Sequence, residues 1–273
     1  MKTGLSLIND IDKFVPAYGQ AAFWWLGQLG FVVKLGMTVI YLDPFLSEVP
    51  GRNIPAPLNP LEITHADLVL GSHDHSDHID RKIWPELSLS SPGAIFVVPE
   101  LLKDSLREDL IIPENRFIGL DDGVTADVKG IKITGVAASH EFLDRDSGTG
   151  RYPYLGYVIE GNGCVIYHSG DTCVYDGLRA KLANWALDIM LIPINGRDGK
   201  RYRDGCAGNM TYQEAVDLAG SLKPGLVVPA HYEMFDFNGE DPYLFADYIS
   251  AKYPGVEYLI ANHGEMILKE AMA

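Results

Sequence analysis

Six consecutive residues, His73-Asp74-His75-Ser76-Asp77-His78, concentrate the chemistry of this chain. They read H-x-H-x-D-H, with four metal-capable side chains in one short window. Imidazole and carboxylate are ligand types that suit zinc, iron and manganese. Two apart on an extended segment, His73 and His75 point to the same side. Asp77 and His78 can face a second ion if the chain turns there. Three of the chain's 8 histidines fall in this window, more than a solvated loop gathers by chance. The run Ala66-Asp67-Leu68-Val69-Leu70-Gly71 just before it has the apolar character of a buried strand and ends in a Gly-Ser break. The cluster is therefore expected at a strand's carboxyl end, where a loop is free to carry function.

Four more segments extend the pattern. Asp43 closes the hydrophobic run Val39-Ile40-Tyr41-Leu42 and precedes Pro44. His140 lies in Ala138-Ser139-His140-Glu141. Asp171 lies in Tyr167-His168-Ser169-Gly170-Asp171-Thr172, and His231 in Val228-Pro229-Ala230-His231-Tyr232. Together with residues 73–78, these five motifs in this order resemble the signature of the metallo-β-lactamase superfamily. Within it, the chain is most similar to the L-ascorbate-6-phosphate lactonase-like hydrolases. That similarity rests on Phe23-Trp24-Trp25-Leu26-Gly27, on residues 73–80 (HDHSDHID) and on residues 167–172 (YHSGDT). The chain departs from them in having little inserted between Asp43 and His73 and almost no extension after the last motif. The segment around His140 follows the general superfamily, and Asn195-Gly196-Arg197 matches the lactonase loop only loosely.

The resemblance implies an α/β fold, a four-layer αββα sandwich with metals in a cleft at one edge of its two sheets. It assigns His73, His75 and His140 to one metal and Asp77, His78 and His231 to a second, with Asp171 bridging. Asp43 would orient the ligand histidines. The implied cofactors are two divalent ions, manganese or zinc, with iron also compatible. The implied reaction is hydrolysis by a metal-bound hydroxide of a small, anionic, phosphorylated metabolite through lactone opening. Phosphodiesterases of the same superfamily, acting on phospholipids or cyclic phosphates, carry the same motifs and form the alternative. A diiron redox protein would need a fused flavin-binding domain, for which this chain has no room after its last motif.

The remaining candidates serve the substrate. His168, three residues before Asp171, is a candidate proton donor to the leaving group, as is Asp171 itself; the competing reading of His168 is a packed strand histidine. Arginine binds phosphate bidentately, so Arg197 and Arg201, in the basic loop 195–203, and Arg145, after His140, are candidate contacts for an anionic substrate. His263 sits in a tight turn, and Cys173 lies two residues from Asp171. Trp24 and Trp25 face opposite sides of one strand as core residues.

The elements that must position these groups are also readable. Strand-like runs recur at 22–25, 31–34, 38–42, 67–71, 94–98, 132–136, 155–159, 164–168, 189–193, 226–229, 257–260 and 265–268. The sequence Thr211-Tyr212-Gln213-Glu214 is a capping box opening a helix toward Gly220. Asp241-Pro242 opens another that ends before Pro254. A hydrophobic content of 47% supports a substantial core, and residues 1–273 are expected to form one domain. A net charge of −15 argues against nucleic-acid partners, including an RNA-processing nuclease. No apolar run reaches the ~20 residues of a membrane span. Three cysteines without C-x-x-C spacing and the absence of an export signal point to the cytoplasm. A homo-oligomer is compatible with all of this.

Overall fold

The computed structural model describes residues 1–272. Thirteen strands run in chain order: β1 Gln20–Gly27, β2 Gly30–Leu35, β3 Thr38–Leu42, β4 Leu68–Leu70, β5 Ile95–Pro99, β6 Phe117–Leu120, β7 Thr125–Val128, β8 Ile131–Ala137, β9 Leu155–Gly161, β10 Cys164–His168, β11 Ile189–Pro193, β12 Val227–Ala230 and β13 Met266–Glu270. Seven helices lie between them: α1 Gly4–Lys13, α2 Trp84–Ser90, α3 Lys103–Leu110, α4 Leu178–Leu182, α5 Gly199–Arg203, α6 Tyr212–Leu222 and α7 Pro242–Lys252. The strands form two sheets, ordered β13-β1-β2-β3-β4-β5-β6 and β12-β11-β10-β9-β8-β7.

Strand alternation explains the layering. In β1, Ala21, Phe23 and Trp25 face the second sheet, while Ala22, Trp24 and Leu26 face outward into a separate core. Val32, Val39, Tyr41 and Val69 join that outer core, which Leu7 and Ile11 of α1, Leu87 of α2 and Leu106 of α3 cover. Both faces of these strands are buried, which is why the runs are nearly continuous in apolar residues. On the second sheet, Leu178 of α4, Val216 of α6 and Phe245 of α7 supply the outer layer. The result is the expected helix–sheet–sheet–helix sandwich.

Each sheet has a parallel portion. Strands β3, β4, β5 and β6 are parallel neighbours, as are β10, β11 and β12. Strand β8 pairs antiparallel with β9, and β9 antiparallel with β10, so β8 runs the same way as β10. The carboxyl ends within each group therefore gather at one end, where hydrogen bonds cross between the sheets. Leu155 N–H donates to Ser72 O at 3.0 Å, and Tyr157 Oη–H donates to Gly71 O at 2.8 Å. His231 N–H donates to Gln28 O at 3.0 Å.

Most elements match the sequence-based expectation. The capping box of α6 forms with both of its hydrogen bonds, and Asp241 caps α7. One expected strand is absent: residues 257–260 make a single bridge, Tyr258 to Val227, flanking the start of β12. Strands β6 and β7 and helix α1 were not expected. Strand β7 is largely exposed on its outer edge, so its polar residues obscure the apolar alternation.

Candidate metal centre

Five loops bring the candidate residues together, each leaving the carboxyl end of a strand. Asp43 follows β3 and His73–His78 follow β4. His140 follows β8, Asp171 follows β10 and His231 follows β12. The turns are tight. Asp43 and His231 have positive φ (41° and 60°), as do Gln28 (52°) and Glu141 (70°), beside His140. Left-handed backbone costs a non-glycine residue about 1–2 kcal/mol, and such strain collects at functional sites. Gly170, beside Asp171, is required: a Cβ there would stand 2.4 Å from Leu155 O, and its φ is +57°.

Three groups of ligand-type atoms converge: His73–His75–His140, His73–His78–Asp171 and Asp77–His78–His231. His75 Nδ1 stands 3.0 Å from His73 Nε2 and 3.2 Å from His140 Nε2. Asp171 spans the cluster. Its Oδ2 lies 3.2 Å from His231 Nε2 and 3.7 Å from His140 Nε2, and its Oδ1 lies 3.4 Å from His78 Nε2. Asp77 Oδ2 lies 3.7 Å from His78 Nε2 and 3.6 Å from His231 Nε2. All seven candidate ligands thus share one cluster. His73, His78, His140, Asp171 and His231 are buried, whereas His75 is exposed and the Asp77 side chain is 22% exposed, opening the cluster to solvent.

The far nitrogens of several rings are held from behind. Asp43 accepts from Ser72 N–H (2.7 Å) and Ser72 Oγ–H (2.6 Å), and its Oδ2 lies 2.6 Å from His78 Nδ1. With Nδ1 engaged by Asp43, Nε2 is the atom of His78 that faces the cluster. His140 Nδ1 is similarly placed, 3.1 Å from both Gly208 O and Asn209 Oδ1.

The two ends of the cluster differ electrostatically. Burial, with His78 and His140 nearby, holds His73 well below the usual imidazole range, and burial and His140 lower His75 as well. Burial opposes charge at Asp77 and Asp171, yet the imidazoles of His78 and His231 keep both carboxylates well below their usual range. Conversely, those carboxylates overcome burial to push His231 up to about 10 and His78 well above its ordinary value. One end offers neutral lone pairs, and the other is anionic and draws positive charge.

A metal fits this donor set. His78 Nε2 and Asp171 Oδ1 are buried without a hydrogen-bond partner. Such groups are costly to bury unsatisfied, and both point into the ligand cluster.

The sequence did not single out Gln28. Its amide Nε2 donates to Asp77 Oδ2 at 2.7 Å and lies 3.3 Å from His231 Nε2. It sits between β1 and β2, far from any histidine motif in sequence. Asn209, which backs His140, and Ser72 were likewise missed; the Gly-Ser break before His73 was the only signal for Ser72.

The expected substrate contacts are elsewhere. Arg197 pairs with both carboxylate oxygens of Glu214, at 2.6 and 2.7 Å. Arg201 binds Asp198 and Gly239 O, and Arg145 binds Gly150 O and covers the Tyr152 ring. None of the three lines the cleft above the cluster. Each satisfies a neighbouring carboxylate or carbonyl, contacts invisible in a list of basic residues. His168 is wholly buried, lies 2.9 Å from Leu29 O through Nε2, and does not line the cleft; burial lowers its pKa. That is the packed strand histidine rather than a proton donor to a leaving group. His263 stacks on Trp25 at 4.1 Å between ring centres.

The paired mixed sheets, with ligands on the carboxyl ends of their strands, define the metallo-β-lactamase fold. A family profile described as "Beta-lactamase superfamily domain" matches residues 38–232, a span holding all seven candidate ligands. A UPF0173 metal-dependent hydrolase of Archaeoglobus fulgidus is 31% identical over 244 residues, covering 88% of this chain and 96% of that protein. The chain belongs to the beta-lactamase superfamily and, within it, to the UPF0173 metal-dependent hydrolases. Among solved structures, the fold is shared with Igni18, a metallo hydrolase from Ignicoccus hospitalis (TM-score 0.69, 24% identity, 93% of this chain and 100% of that one). It is also shared with an isothiocyanate hydrolase from Delia radicum gut bacteria (TM-score 0.71, 16% identity, 92% and 100%).

Proposed function

We propose that this protein hydrolyses a small molecule using two divalent metal ions. His73, His75 and His140 would hold one ion and Asp77, His78 and His231 the other, with Asp171 available to both. The observation that carries this reading is the convergence of three ligand groups around two buried polar atoms without partners, His78 Nε2 and Asp171 Oδ1. Manganese, zinc and iron all suit the donor set. Residues 1–273 act as one domain, and the three free cysteines fit a reducing cytoplasm.

When bound, such a metal pair supplies Lewis acidity, lowering the pKa of water toward ~7 and offsetting negative charge on oxygen. The chain's own residues do the rest. Asp77 and Asp171, both lining the cleft, stay ionised, so each can orient water there by accepting a hydrogen bond from it. Gln28 fixes the Asp77 carboxylate through its amide. Asp43 and Asn209 hold His78 and His140 from behind, so that both rings face inward.

Opening of a carbonyl electrophile, a lactone or ester, is favoured over cleavage of a phosphodiester. No lysine or arginine lines the cleft to hold a phosphate. Elemental analysis paired with a hydrolysis panel of a phosphorylated sugar lactone, an unphosphorylated lactone and bis-4-nitrophenyl phosphate tests the reading. About two metals per chain with lactone turnover abolished by chelator is the expected result. Turnover of the phosphodiester alone moves the protein to the phosphodiesterase branch. Metal-free protein that gains no activity with manganese or zinc overturns the proposal.

A further inference from the structure

A cleft of about 300 Å³ opens above the metal ligands, and its chemistry is lopsided. Its floor carries His75, Asp77, His140, Asp171 and His231. Its walls carry Phe45, Val49, Phe235 and Phe237, with Ser76, Cys206 and Asn238 as the polar groups outside the floor. The phenyl rings form a continuous surface: Phe45 to Phe235 at 6.3 Å and Phe235 to Phe237 at 5.3 Å between centres. Phe237 is 54% exposed, which leaves its ring free for a ligand.

The arginines near this wall already have partners. Arg52 lies 4.6 Å over the Phe45 ring and donates to the carbonyls of Phe45, Ser47 and Ile54. Arg201 is paired with Asp198 and donates to Gly239 O, with only its Nε left without a partner, and it does not line the cleft. Lys82 and Arg81 line a neighbouring depression that shares Phe45, Val49 and Ser76 with the cleft; Arg81 is held there by Asp74 and Asp109 at 2.6 Å each, and neither residue lines the cleft itself. The protein's net charge of −15 further disfavours an anionic guest. A negative group on the substrate's far end would lose water against phenyl rings with no cation in return.

Resting on the hydrolase reading above, we infer that the substrate is an uncharged ester or lactone whose far end is an apolar or aromatic group, seated on Phe45, Phe235 and Phe237. Hydrolysis balances without a further reactant. The oxygen of water bonds to the acyl carbon, the acyl–oxygen bond breaks, and the proton from water ends on the departing alkoxide. Asn238 stands at the wall to position a polar atom of the guest. It also accepts from Asn195 Nδ2, and Asn195 Oδ1 in turn accepts from Asn209, so the wall is tied to the group that backs His140.

The test keeps the scissile bond constant and changes only the far end. Metal-loaded protein is assayed with 4-nitrophenyl hexanoate and with mono-4-nitrophenyl adipate, which differ by a terminal carboxylate, and with bis-4-nitrophenyl phosphate. The hexanoate is expected to exceed the adipate by about tenfold or more in kcat/KM, since one uncompensated desolvated charge is worth at least that factor. Phe235→Ala and Phe237→Ala are expected to raise KM for the hexanoate, each by roughly fivefold to tenfold. Phe237→Arg is expected to narrow or reverse the preference. Equal or better turnover of the adipate, or no effect of either alanine variant, overturns the inference while leaving a hydrolase. Cleavage of the phosphodiester without either ester does the same. Bound metal with none of the three cleaved overturns the inference and the hydrolase reading together.

Discussion

The floor and the rim of the cleft are built by opposite rules. The floor is rigid. Its ligands sit on short turns at strand ends, Gln28, Asp43 and His231 accept left-handed backbone, and His78 and His140 are held from behind by partners that are themselves buried. The rim is made of loops: Phe45 and Val49 follow β3, and Phe235 and Phe237 follow His231. Phe235 and Phe237 are partly or largely exposed while Phe45 is buried, and the hydrogen bonds that hold the rim involve mainly backbone groups, as Arg52 and Arg201 illustrate. The contrast separates two tasks. A metal cluster tolerates little displacement, so it is placed where two sheets are hydrogen-bonded together. Substrate choice needs surface that can vary without disturbing the sheets.

Substitutions at the floor are expected to weigh far more than those around it. Asp77→Ala removes a ligand of the second group and is expected to lower kcat/KM on the order of a thousandfold, with metal content falling toward one per chain by elemental analysis. Full activity in that variant would remove the two-metal reading. Asp43→Ala strips the partner from His78 Nδ1 and from both Ser72 donors. A loss of about 10–100-fold in metal affinity is expected, read by competition with a chromogenic chelator. Gly170→Ala tests the scaffold alone. With Leu155 O 2.4 Å from the new Cβ, a stability loss of about 2 kcal/mol or more is expected in urea unfolding. Unchanged stability would mean that the Gly170 turn can relax.

Arg197→Ala should be the mildest. Its pair with Glu214 is about one-third exposed on each side, so a loss of about 1 kcal/mol or less is expected, with KM for a phosphorylated lactone unchanged. The pH dependence has a definite sign. Burial would raise the Glu214 pKa, but Arg197 and the Thr211 N–H together lower it. The pair therefore stabilises fully above the ordinary carboxylate pKa of ~4.3 and loses its effect as pH falls through the depressed folded value. Wild-type and variant stabilities should converge in acid. A rise in KM for the phosphorylated lactone would return Arg197 to the substrate.

Local sequence was enough to pick out the residues that converge in the cluster and most of the strands. Metal ligation draws on few residue types, and H-x-H-x-D-H spacing on a strand end is rare enough to stand out. The capping box at Thr211 and the Asp-Pro start at 241 were readable because caps satisfy backbone groups within a few residues. The partners of the arginines were not legible for the converse reason: Arg197 and Glu214 are 17 residues apart, and a basic run does not reveal which carboxylate neutralises it. Gln28 was invisible because its role depends on Asp77, 49 residues away, and on His231, 203 residues away. The amino-acid sequence by itself determined the class of fold and the atoms able to bind metal, since periodicity and ligand chemistry are local properties. Only the tertiary structure decided which side chains back those atoms, which charges are already spent and that the cleft wall is aromatic. Those depend on long-range packing, which brings separate loops to one point and leaves no trace in sequence spacing.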